Sequence, residues 1–95
     1  MNPMRQLVQE FEPKGISRGG ILFLRATEAI DFVERCRRLG ISIYGIDAFK
    51  LGETTTRPLL EESIEFQEPA RSYEQADGFL REKGDKDLFF EVVAA

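Results

Sequence analysis

The sequence contains no histidine, no tryptophan and one cysteine, Cys36, among its 95 residues. Without histidine, the chain lacks the usual partner that activates a serine or cysteine nucleophile and the commonest general base near neutral pH. A lone cysteine cannot form an internal disulfide, and the usual ligands of a zinc site are missing as well. We therefore expect a protein that is not an enzyme and that holds no metal and no other cofactor.

Long apolar runs are also missing. A run such as Ile21 to Leu24 is far shorter than the roughly 20 residues that a membrane span requires. The amino-terminal sequence MNPMRQLVQEFEP carries acidic residues early and has no apolar stretch of the kind found in secretory signals. These absences predict no membrane segment and, as the default location, the cytoplasm.

Charge is unevenly divided along the chain, whose net charge is −4. Residues 1–49 carry seven basic and six acidic side chains, whereas residues 50–95 carry six basic and eleven acidic ones. Nucleic acid is a poor candidate ligand for such a chain, because phosphate binding depends on clustered Lys and Arg. The acidic second half favours a basic protein partner.

The spacing of apolar residues, together with Gly, Pro and capping residues, predicts three helices and four strands. In chain order these are a helix over 3–12, a strand over 21–25, a helix from an N-cap at Thr27 to about Leu39, a strand over 41–49, a strand over 59–67, a helix from Ser72 to Gly84 and a strand over 88–93. The pair Gly19-Gly20 is interpreted as a turn that leads into the first strand, since no phosphate-binding glycine pattern surrounds it.

These elements predict one α+β domain over residues 1–95, with a helix and turn over 1–19 and a βαββαβ core over 20–93. That order is compatible with a ferredoxin-like two-layer sandwich that has an extra N-terminal helix. A three-layer α/β arrangement stays open, because several strands are apolar on both faces and the first helix could cover the second side.

Asp47 is the sharpest candidate for a functional residue, because it is the only acid on the apolar strand Ile41–Phe49. An acid in such a strand needs solvent, a basic partner or a binding role. We expect it at the carboxyl end of the strand, next to a long polar loop over residues 51–58. With Phe49 it could form an acidic, aromatic-bearing partner surface that includes four glutamates from the following segment: Glu53, Glu61, Glu62 and Glu65.

The segment AIDFVERCRRLGISIYGIDAFKL (29–51) is followed by PLLEESIEF, SYEQADGFL and LFFEVV. Together these segments resemble small bacterial immunity-type proteins of toxin–immunity systems, in which a helix precedes a strand ending in Gly-x-Asp-x-aromatic, then a variable loop and a terminal strand. Asp47 and Phe49 are the matched positions. The resemblance implies a cytoplasmic, non-enzymatic inhibitor whose acidic surface blocks a toxin.

Two functional hypotheses follow for this chain. The first is a non-catalytic protein-binding module, and more concretely an immunity-type inhibitor that binds a basic toxin domain. The second is a small-molecule-binding regulatory domain with its ligand at a sheet edge or at a homodimer interface. A minor enzyme that uses Asp47 as a base ranks below both of them.

Overall fold

The computed structural model describes residues 2–95, which form three α-helices and five strands joined by short turns. The helices are α1 (Pro3–Phe11), α2 (Ala26–Leu39) and α3 (Tyr73–Glu82). The strands are β1 (Ile16–Arg18), β2 (Ile21–Phe23), β3 (Ile43–Leu51), β4 (Thr56–Glu65) and β5 (Phe89–Ala94). The mixed α+β class predicted from the sequence is therefore confirmed, as are three helices close to their predicted positions.

The strands form two antiparallel sheets. In the larger sheet β3 is the central strand between β4 and β5, while β1 and β2 form a separate hairpin. One isolated bridge links the two sheets: Leu24 N–H donates to the carbonyl of Phe90 at 2.8 Å, and Phe90 N–H donates to the carbonyl of Leu24 at 2.7 Å.

The expected ferredoxin-like order is not confirmed. The strands on either side of α2, β2 and β3, lie in different sheets, and β3 instead pairs antiparallel with β5. The physical reason lies in the turn at Gly19 and Gly20. Their φ values of 57° and 81° are those of a tight hairpin turn, and glycine adopts such positive values without steric cost. This turn pairs β2 with β1, a strand that the sequence reading missed.

A single apolar cluster joins the helices to one face of the three-stranded sheet. The residues at its centre are less than 5% exposed and include Ala29, Phe32, Val33, Ile46, Ala48, Ala76, Leu80 and Phe90. Helix α1 joins the same cluster, because the rings of Phe11 and Phe32 meet edge to face at 5.1 Å between centroids. The opposite face of the sheet is covered at one end only, by the β1–β2 hairpin, so neither expected layering is confirmed.

Helix α2 ends as predicted but begins differently. Gly40 adopts a left-handed φ of 70° and closes the helix, and Cys36 is fully buried on its apolar stripe. The N-cap position is Arg25 and not Thr27, because the helix starts directly after the bridge at Leu24. Leu39, the last residue of the helix, is 45% exposed.

Helix α3 follows Ser72 as predicted, but Ser72 does not cap it through its side chain. Its buried hydroxyl donates instead towards the carbonyls of Ile43 at 2.9 Å and Pro69 at 3.0 Å, and so ties the helix start to β3. Gly78 of this helix is exposed and does not mark close packing against the sheet, because an added Cβ would have no neighbour within 4 Å.

The segment expected as a long loop over residues 51–58 is a tight turn between β3 and β4. Gly52 N–H donates to the carbonyl of Thr55 at 2.9 Å, and β4 already begins at Thr56. Arg18 of the hairpin holds this turn, donating to the carbonyls of Gly52 at 2.6 Å and Thr55 at 2.9 Å. The long loop predicted over residues 51–58 is therefore wrong: these polar residues form the end of the β3–β4 hairpin, which Arg18 stabilises.

Strand β4 lies at an edge of the sheet and carries a large bulge. Ile46 pairs with Ile64 and Ala48 with Leu59, so β4 advances by five residues where β3 advances by two. Ser63 closes the bulge, since its hydroxyl accepts from the N–H of Ala48 at 2.9 Å and donates to the carbonyl of Leu59 at 2.8 Å. Leu60, within the bulge, is 85% exposed.

Candidate functional site

The face of the sheet that points away from α2 and α3, here called the outer face, brings two acids together. Asp47 of β3 and Glu91 of β5 are directly paired across the antiparallel ladder, so their side chains project from the same face. Both residues are half-buried. Glu65 lies on this face too, because it pairs with Gly45, two residues before Asp47.

No base within the described residues compensates this pair. Among residues 2–95, no Lys or Arg nitrogen lies within salt-bridge distance of the carboxylate of Asp47 or Glu91. Partial burial, and then the neighbouring carboxylate of Asp47, raise the pKa of Glu91 above its usual value. Like charges directly opposite each other in a sheet are destabilising. The pair therefore costs the isolated fold some stability at neutral pH.

Exposed apolar groups border the acids on the outer face. A bulge in β3 places Tyr44 and Gly45 opposite Val93, and Tyr44 is 48% and Val93 38% exposed. Gly45 is required there, because a Cβ would lie 2.7 Å from the carbonyl oxygen of Ile64. The open end of the outer face thus combines two acids with an aromatic ring and an aliphatic side chain.

The other end of the outer face is closed. Phe49 is only 9% exposed, and its ring meets that of Phe23 edge to face at 4.9 Å between centroids. Arg25 stacks over the ring of Phe89 at 3.9 Å and forms an ion pair with Asp87. Phe49, predicted as a contact residue, therefore supports the hairpin and presents little surface to a partner.

The predicted glutamates are dispersed. Glu65 joins Asp47 on the outer face, Glu61 is exposed on the bulge of β4, and Glu53 is exposed in the turn held by Arg18. Glu62 is bound from two sides, by the ammonium groups of Lys83 and Lys86, each at 2.7 Å from one of its oxygens. These lysines lower the pKa of Glu62 to about 2. Of the predicted acids, Asp47 and Glu65 share the outer face, and Glu53, Glu61 and Glu62 lie elsewhere.

Glu91 is the member of the site that sequence reasoning missed. Glu91 alternates with Phe89 and Val93 along the strand, so it is an acid on a nearly apolar face. The same signal singled out Asp47. The pairing of the two acids depends on the antiparallel contact of β3 with β5, and apolar alternation does not specify which strands are neighbours.

Among the concave sites of the molecule, a cleft and a groove lie beside acids considered above. A cleft of about 200 Å³ lies between β2, β5 and α1, with Glu91 among its lining residues. A groove of about 470 Å³ lies beside Glu62 and carries Lys50, Arg57 and Lys86 together with the acids Glu61 and Asp87. Sites for small molecules commonly enclose about 300–1,000 Å³ and are mostly apolar. The cleft is smaller than that range, and the groove is mostly charged.

Metal and thiol chemistry find no support in the arrangement of side chains. No three Cys, Asp or Glu side chains within residues 2–95 are grouped so that they could hold a metal ion. Burial raises the pKa of the Cys36 thiol to about 12, so this residue packs as a small apolar side chain.

Comparison with known proteins adds no relative, because no family model, no curated protein and no solved structure matches this chain. None of the helices in residues 2–95 has both the length and the apolar composition that crossing a membrane requires.

Proposed function

We propose that this protein is a non-catalytic protein-binding module that recognises a basic protein surface through its outer face. The observation that carries the proposal is the pair Asp47 and Glu91, two half-buried acids opposite each other with no base beside them in residues 2–95. A cationic side chain placed between these carboxylates replaces repulsion by attraction, so binding relieves a cost that the free protein bears.

The surroundings of the acids support a protein as the ligand. Tyr44 and Val93 supply exposed aromatic and aliphatic area next to the charge, and aromatic side chains are enriched at the centres of protein interfaces. Glu65 and the bulge residue Glu61 extend the acidic character towards β4.

The more specific form of the proposal is an immunity-type inhibitor that acts in the cytoplasm on a basic toxin domain. It is supported by the resemblance of residues 29–51 and the segments after them to small immunity-type proteins, and by the acidic second half of the chain. The charge of the outer face is opposite to that expected of a domain that attacks nucleic acid. The inhibitor would act by covering the basic site of the toxin.

A panel of purified basic toxin domains, encoded beside the gene in its genome, tests this proposal. We expect one domain to bind the wild-type protein tightly at low salt and more weakly at high salt, because the contact is electrostatic. The double variant Asp47→Asn/Glu91→Gln should weaken that binding by about tenfold or more. Isothermal titration calorimetry measures both effects.

The matched control is Asp31→Asn/Glu82→Gln, which removes the same charge from exposed positions on α2 and α3. It should bind like the wild type. Equal weakening by both double variants would show that only net charge matters and would contradict a role for the outer face. A panel without a salt-sensitive partner would argue against the immunity-type function.

A further inference from the structure

The cleft between β2, β5 and α1 has a composition that fits one kind of side chain. Its apolar wall includes Met4, Val8, Leu22 and Phe32, and Glu91 lies at the edge that opens on the outer face. A side chain with an apolar stem and a charged head matches such a wall, because the stem can lie on the apolar surface while the head stays polar.

Backbone groups add hydrogen-bond acceptors to the cleft. Leu24 and Phe90 exchange two hydrogen bonds across the bridge between the strands. Backbone groups of every second residue point to the same side of a strand, so those of Leu22 and Val92 point into the gap between β2 and β5 beyond this bridge. Within residues 2–95, no backbone hydrogen bond joins Leu22 to Val92. By the alternation of an antiparallel ladder, the N–H and the carbonyl of each of these two residues are directed across this gap.

The acceptors favour a guanidinium over an ammonium group. Arg presents five N–H donors in a planar fork, so one guanidinium can bind the carboxylate of Glu91 and a backbone carbonyl at the same time, which a compact ammonium group does less well. The volume of about 200 Å³ is below that of most small-molecule sites and suits a single inserted side chain. Buried arginine anchors of this kind often dominate the affinity of an interface.

We propose that the cleft between β2 and β5 receives one arginine side chain of the basic protein partner, with the guanidinium at Glu91 and the stem against Met4, Val8 and Leu22. This inference rests on the proposed function and specifies the chemistry that the same acidic face recognises. Asp47, beside Glu91, adds a second negative charge near the guanidinium.

The direct test is a nuclear magnetic resonance titration of the ¹⁵N-labelled protein with a five-residue peptide that has a central arginine. We expect saturable shifts of the amide signals of Leu22, Glu91, Val92 and Val93. A peptide with citrulline at the centre has nearly the same shape without the charge, and it should bind about tenfold more weakly or worse. Equal binding of the two peptides, or the absence of saturable shifts, would overturn the proposal.

Two variants locate the peptide. Val8→Phe should fill the cleft from α1 and abolish the shifts, while Glu91→Gln keeps the shape and should lower affinity by about tenfold. The spectrum itself reports whether each variant is folded, and the Glu91 variant keeps the test valid if Val8→Phe does not fold. Asp31→Asn, on the exposed side of α2, is the charge-matched control and should bind like the wild type.

The test separates this inference from the proposed function. If Val8→Phe still binds a toxin domain that Asp47→Asn/Glu91→Gln no longer binds, the outer face is the interface and the arginine cleft is wrong. If the arginine peptide binds in the cleft but no toxin domain binds, the cleft stands and the immunity-type function fails.

Discussion

Glu62 and Glu91 belong to the two strands that flank β3, yet their surroundings are opposite. Glu62 lies at the α3 side of the molecule between Lys83 and Lys86, and these lysines lower its pKa to about 2. Glu91 lies on the outer face opposite Asp47, where burial and the second acid raise its pKa. The same residue type therefore stabilises the fold at one edge of the sheet and costs stability at the other.

The contrast extends to the two faces of the sheet as a whole. The face towards α2 and α3 is packed, and within residues 2–95 no buried side-chain nitrogen or oxygen lacks a hydrogen-bond partner. The outer face leaves acids uncompensated and an aromatic ring exposed. Natural proteins break local rules of this kind mainly at functional sites. The comparison thus separates the face whose packing maintains the fold from the face on which the proposed function depends.

Truncating a ring on the packed face should give the largest effect. Phe90 is fully buried and contacts the ring of Phe79, so Phe90→Ala should lower the free energy of unfolding by about 3–5 kcal/mol. Val93→Ala, three residues later on the outer face, should change it by less than about 0.5 kcal/mol. Urea denaturation followed by circular dichroism measures both values, and similar losses for the two variants would contradict the division between the faces.

Removing the Ser72 hydroxyl should have an intermediate effect. Ser72→Ala leaves the carbonyls of Ile43 and Pro69 without this donor in a buried place, at a cost of about 1–3 kcal/mol. Ser17→Ala, at an exposed position of β1, is the matched control and should be nearly neutral. A neutral Ser72→Ala would mean that this hydroxyl does not tie α3 to β3.

The two glutamates should give small effects of opposite sign. The pKa of Glu62 is about 2 in the folded protein and 4.5 in its ordinary, unperturbed state. The stability that this carboxylate contributes to the fold is therefore fully present above pH 4.5 and is lost as the pH falls towards 2. The pKa of Glu91 is raised, so its unfavourable contribution is present at neutral pH and disappears as the pH falls through that raised value towards 4.5.

Glu62→Gln should therefore be less stable than the wild type at pH 7, and the difference should shrink between pH 4.5 and pH 2. Glu91→Gln should be at least as stable as the wild type at pH 7, with an advantage that disappears in acid. Thermal unfolding across this pH range compares the three proteins. A destabilised Glu91→Gln at pH 7 would indicate a cationic partner for Glu91 within the fold.

Local patterns predicted much of the secondary structure, because they depend on residues close in sequence. The end of α2 at Gly40 needs a left-handed residue, and the sequence supplies glycine there. Asp47 stood out because a single acid among apolar residues is visible without a structure. Strand 88–93 alternates clearly and is observed as Phe89–Ala94.

The unpredicted features depend on contacts between distant segments. Arg18 converts residues 52–55 into a tight turn from 34 or more positions away in sequence. Ser72 precedes helix α3 at the position of a capping residue, yet its hydroxyl donates a hydrogen bond to the carbonyl of Ile43 in β3. The pairing of Asp47 with Glu91 requires the neighbours of β3, and the resemblance to immunity-type proteins did not specify them.

The bulge of β4 interrupts an exposed edge of the sheet. A long, regular edge strand is a template on which another chain can add its own strand and begin to aggregate. The hydroxyl of Ser63 stabilises the bulge, in which extra residues of β4 do not pair with β3. The bulge divides the free edge of β4 into two short segments. Glu61 adds charge at the break. The interruption makes this edge a poorer template for strand addition than a long, regular edge would be.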